Sequence, residues 1–192
     1  MEKFINWQIF EKLARPPMKG NTAIAAITSA FNYLFNEDYK QSLIAKIIGN
    51  TTTKTCPKIL PNWIELAAAY LKLNLEVKTY FSEGWALEES ANEAYWNQFV
   101  NLIKDENNFL LLKIGNHCSV IMGYATYPYS NQPGDDGINK WIVVGEVNPW
   151  SKVSWIRALH LSLAPPIWMM RFEFLRKTLS QNRQNSIICI SR

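Results

Sequence analysis

Phe109-Leu110-Leu111-Leu112-Lys113-Ile114-Gly115-Asn116-His117-Cys118-Ser119-Val120-Ile121-Met122-Gly123-Tyr124 is the stretch on which the fold turns. An apolar run leads to a short polar break, Gly115-Asn116. A histidine follows, then a second apolar run that ends in Gly-Tyr. The pattern reads as two strands of a hairpin with His117 at the mouth of the second.

Downstream the chain stays strand-rich. Lys140 to Val147 reads as another buried strand, stopped by Asn148-Pro149-Trp150 because proline cannot donate to a ladder. Val153 to Leu163 and Ile167 to Leu179 read as a strand and a helix, and Ser186 to Ile190 as a last strand. Between them, Ser130 to Gly137 is an exposed turn. Its acids lack the spacing and flanking helices of an EF-hand, so no metal is expected there. Tyr127 to Gly137 reads as a lid or a long hairpin connection. Arg171, Arg176, Lys177 and Arg183 read as a solvated basic face.

Upstream the pattern is helical. Residues 4–14 carry Phe4, Ile5, Ile9, Phe10 and Leu13 at helical spacing. Arg15 to Gly20 breaks that segment. Asn21 or Thr22 then serves as N-cap for a helix from Ala23 to about Phe35. Its first half is small (Ala23, Ala25, Ala26, Ser29, Ala30), which suits a helix threaded through the centre of a domain. Lys40 to Ile48 predicts a second helix, ended by Gly49-Asn50. Thr51 to Pro61 reads as a loop, and Asn62 caps a third helix reaching Leu73. Leu75 to Tyr80 alternates as a half-buried strand. Ser82 to Glu93 reads as a loop or short helix, and Glu93 to Ile103 as a fourth helix.

Composition narrows the class. The chain has 192 residues, 48% hydrophobic and 19% charged, which suits one globular domain. A net charge of +4 is mild and calls for no nucleic-acid partner. No run reaches the length of a membrane span, and the first residues do not read as a signal peptide. Cys56, Cys118 and Cys189 are widely spaced and suggest neither a zinc site nor a disulfide framework, which points to a reducing, cytoplasmic setting. No cofactor is implied. There is no internal repeat, and His160 reads as structural.

Three features line up: a helix starting at Thr22, a histidine starting a strand at His117, and an asparagine ending the next strand at Asn148. A helix N-terminus supplies positive potential and free N–H groups. Beside a thiol, a histidine and an orienting Asn, that is the layout of a cysteine hydrolase.

The sequence resembles papain-like cysteine proteases. It looks closest to the compact branch that includes bacteriocin-leader-processing peptidases and, more distantly, phytochelatin synthase. There the nucleophile helix reads Asp-Cys-Gly-Pro-Ala and later Leu-Asn-Tyr-Leu. Here Asn21-Thr22-Ala23-Ile24-Ala25 is followed by Phe31-Asn32-Tyr33-Leu34. The histidine segment, ending in Gly-Tyr, matches His117 to Tyr124, and the Asp-Pro or Asn-Pro segment matches Asn148-Pro149. The likeness spans roughly residues 15–155.

It implies an α+β, papain-like fold over 1–192. A helical part (about 1–105) would pack on a C-terminal antiparallel sheet (about 106–192). It places the nucleophile on Thr22, or on Ala23 if the register slips by one, with His117 as base and Asn148 orienting it. No cysteine stands at 22 or 23, and the family's upstream glutamine is absent. Lys19 and Asn21 are the polar side chains in its place. An internal threonine is a poor nucleophile, because its hydroxyl barely ionises beside a neutral histidine. Cys118 adjoins His117, so on a strand the two side chains point to opposite faces.

The expectation is therefore a degenerate protease that binds a peptide or protein in its cleft. The alternative is an active peptidase or peptidyl/acyl transferase whose cysteine at 22 or 23 has been substituted. A plain α+β binding protein is the third reading. Trp85, Trp96, Tyr127, Tyr129 and Trp150 are candidates to line a groove.

Overall fold

A computed structural model describes residues 2–14, 16–18, 21–49, 60–80, 92–128, 138–147, 167–182 and 184–192. Within them six helices, α1 Trp7–Glu11, α2 Thr22–Leu34, α3 Gln41–Ile47, α4 Leu60–Leu71, α5 Asn92–Lys104 and α6 Phe172–Gln181, surround one antiparallel sheet. Its strands are β1 Glu2–Ile5, β2 Glu76–Tyr80, β3 Asn108–Ile114, β4 His117–Pro128, β5 Ile138–Gly145, β6 Ile167–Arg171 and β7 Ser186–Ser191. The order is β2-β7-β3-β4-β5-β6, with β1 beside β4.

The β3–β4 hairpin is the centre of this sheet. Ile114 pairs with His117 across the Gly115-Asn116 turn, and Gly115 takes φ +56 there, a conformation glycine adopts without a Cβ penalty. β3 is buried at every interior position because helices cover both faces of the sheet, and that produces a continuous apolar run in place of alternation. Lys113 sits inside the run, with its ammonium group on the carbonyl of Gln184.

Two apolar layers flank the sheet. On one face α1 to α4 pack against Phe109, Leu111, Cys118, Val120 and Met122. On the other, α5 and α6 pack against Leu110, Leu112, Ile121, Val144 and Ile187. Alternation along β4 assigns successive side chains to the two layers. Every residue of α2 except Tyr33 is buried. Its small residues let it run between the sheet and α3, and Thr28 and Ser29 return their hydroxyls to the carbonyls of Ile24 and Ala25.

Several sequence expectations change. Residues 4–14 are not one helix: Glu2 to Ile5 pair with β4, and Asn6 caps the short α1 through the N–H groups of Gln8 and Ile9. β1 runs so close to β4 that a Cβ on Gly123 would stand 2.2 Å from the carbonyl oxygen of Phe4. α4 starts at Leu60, before the expected Asn62 cap, since Pro61 fits the first turn of a helix, where its missing N–H is no loss. The division near residue 105 has exceptions. β1 and β2 come from the helical half, and α6 from the strand-rich half.

The basic face also changes: Arg176 is buried, with its guanidinium over the ring of Tyr95. Trp96 is a core residue among Phe99, Tyr124 and Phe172, while Tyr127 is partly buried against the α2 layer. Trp85, Tyr129, Trp150, His160 and most of the 127–137 segment lie outside the described residues. No helix among the described residues is long and apolar enough to cross a membrane.

Candidate functional site

Asn21 positions the first element of the site. Its backbone is extended, and its side-chain oxygen accepts from the N–H of Ile24 at 3.2 Å, which starts α2. The Thr22 side chain then faces the start of β4. Its Oγ1 accepts from the backbone N–H of Cys118 at 3.1 Å. The hydroxyl at the position expected to hold the nucleophile is thus an acceptor joining helix to strand. Ala23 is fully buried and carries no reactive group.

His117 opens β4. Its Nε2 stands 2.7 Å from Oε2 of Glu146. Facing a carboxylate, Nε2 carries the proton, so in the neutral ring the lone pair lies on Nδ1. Nδ1 makes no hydrogen bond to any described residue. Strand alternation sends Cys118 into the α2 layer and His117 to the face that bears Glu146. No hydrogen bond joins Thr22 to His117 among the described residues. The two meet through the backbone of Cys118.

Glu146 is the residue that sequence reasoning missed. It follows β5 and is 7% exposed. Besides His117, it accepts from Ser119 Oγ at 2.9 Å and from Trp168 Nε1 at 2.7 Å, both on Oε1. β6 supplies that tryptophan, since Trp168 pairs with Val144. A buried carboxylate is tolerated when its lone pairs are occupied, and three donors do that here. The signal was one acid interrupting Trp141-Ile142-Val143-Val144-Gly145-Glu146-Val147. Asn148, the expected orienting residue, lies outside the described residues. Among the described residues, the group that orients His117 is Glu146.

Cys118 corrects a second expectation. It is fully buried and disulfide-bonded, and Cys56 lies outside the described residues. A thiol consumed in a disulfide cannot serve as a replacement nucleophile. The wide sequence spacing concealed this bond because tertiary folding, not spacing, brings cysteines within bonding reach. Cys189 is free and buried, and burial raises its thiol pKa. No group of three or more metal-ligating side chains occurs among the described residues.

No family model and no curated protein matches the chain. Among solved structures it is similar to SERA5E from Plasmodium falciparum, a papain-like protease domain. The TM-score is 0.52 at 11% identity, covering 95% of this chain and 90% of that one. At that identity the likeness concerns the fold alone: this chain shares the mixed α+β architecture of that domain.

Proposed function

We propose that this chain is a catalytically degenerate papain-like domain that uses its cleft to bind a peptide or protein. The observation that carries the reading is the bond from the Cys118 N–H to Thr22 Oγ1. The helix start meets the strand that bears the histidine, and the side chain at that junction is a hydroxyl engaged in holding the two elements together. Nothing described faces Thr22 to take its proton, and an unactivated hydroxyl is a weak nucleophile. His117 is held by Glu146 through Nε2, and its Nδ1, which bonds to no described residue, is the ring atom that would meet a ligand.

Thr22→Cys tests this. A thiol at the head of α2 is expected to react with iodoacetamide well below the ordinary thiol pKa of about 8.5, and His117→Ala is expected to reduce that reactivity. An introduced thiol no more reactive than free cysteine, or one indifferent to His117, would sink the protease-derived reading. Appearance of peptide hydrolysis in Thr22→Cys would show that the missing thiol alone separates this domain from an enzyme.

A further inference from the structure

The start of α2 holds more hydrogen-bond donors than the described residues use. A helix start leaves its first N–H groups without helical partners. Here the Asn21 side chain satisfies Ile24 and its carbonyl satisfies Ala25. The N–H groups of Thr22 and Ala23 bond to no described residue. Asn21 Nδ2 also has no partner, although Asn21 is only 2% exposed. The orientation of that amide is fixed, because the atom facing the Ile24 N–H must be the oxygen. Buried donors are normally paired, and an orphan costs stability. That orphan, beside two N–H groups with no partner among the described residues at the positive end of a thirteen-residue helix, calls for a small, negatively charged acceptor.

We infer that the N-terminus of α2 is a carboxylate-binding site. Asn21 Nδ2 and the N–H groups of Thr22 and Ala23 hold the C-terminal carboxylate of the bound peptide. A monoanion fits better than a phosphate, since no lysine or arginine side chain bonds to this helix end among the described residues. The site lies beside the binding cleft, because Thr22 is bonded to the residue that follows His117. The occupant rests on the peptide-binding reading above. The donors do not.

The test is amide NMR of the intact chain titrated with sodium acetate, with acetamide as the uncharged control. Saturable shifts of the Thr22 and Ala23 amides and of the Asn21 side-chain NH2 are expected with acetate alone. Asn21→Asp and Asn21→Ser both keep an oxygen to cap Ile24 but lack Nδ2. Each is expected to weaken acetate binding by about tenfold or more while the fold is retained. Acetyl-Ala-Ala with a free C-terminus is then expected to bind, and acetyl-Asp-Ala-amide is not. Absence of saturable shifts, equal shifts with acetamide, or unchanged binding in both variants overturns the site and leaves a helix cap with buried water. Preference for the aspartyl amide overturns the C-terminal assignment. An activated thiol in Thr22→Cys without acetate binding would leave the protease-derived reading standing and remove this inference alone.

Discussion

Replacing Glu146 by alanine tests the site most directly. The carboxylate holds Ser119 and Trp168, both buried, and His117, which is partly exposed. Alanine leaves two fully buried donors without acceptors, at about 1–3 kcal/mol each. A small further loss comes from the vacated volume. The expected destabilisation is about 3–5 kcal/mol, a large share of the 5–15 kcal/mol typical of a domain. Glutamine should cost only about 1 kcal/mol. Its carbonyl can still accept from Ser119 and Trp168, and its NH2 can donate to His117 once the ring changes tautomer. Urea unfolding followed by circular dichroism gives both numbers. The Trp168 indole N–H resonance reports the bond itself. In a double-mutant cycle, Trp168→Phe removes one orphan and should reduce the alanine penalty by about 1–3 kcal/mol. An alanine variant that loses less than about 1 kcal/mol and shows no coupling to Trp168 would refute the network.

Three other outcomes are expected. Thr22→Val keeps the shape but strands the Cys118 N–H, so urea unfolding should show a loss of about 1–2 kcal/mol; a neutral result would deny Thr22 its bridging role. Gly123→Ala should detach β1 by driving a methyl group into the Phe4 carbonyl, with loss of hydrogen-exchange protection at Asn6, whose N–H bonds Met122; retained protection would contradict that packing. Glu2 has its pKa lowered, first by the Tyr124 hydroxyl and then by Lys104. Its contribution is therefore present above the ordinary value near 4.5 and is lost as pH falls through the lowered one. Glu2→Gln should flatten the acid limb of a stability–pH curve, and an unchanged limb would remove Glu2 from the balance.

The central hairpin was legible because its two apolar runs, its glycine turn and its histidine are local signals. The α2 helix was legible because its cap and its small residues are contiguous. β1 was not. Phe4 and Ile5 fit a helical period with Ile9, and only β4, more than a hundred residues away, makes them a strand. Order and spacing pointed to Thr22 and His117, yet their separation across the Cys118 backbone depends on which face each strand residue takes. Glu146 was overlooked because its meaning comes from Trp168 on a distant strand. The Cys118 disulfide escaped for the same reason.

The burial of α2 on nearly every side has an evolutionary consequence. A helix so enclosed admits only small or shape-matched side chains, whether or not a reaction occurs at its head. Packing alone therefore holds the outline of this helix constant, whatever stands at its head. Position 22, at the first residue of the helix, can exchange its side chain while that outline persists.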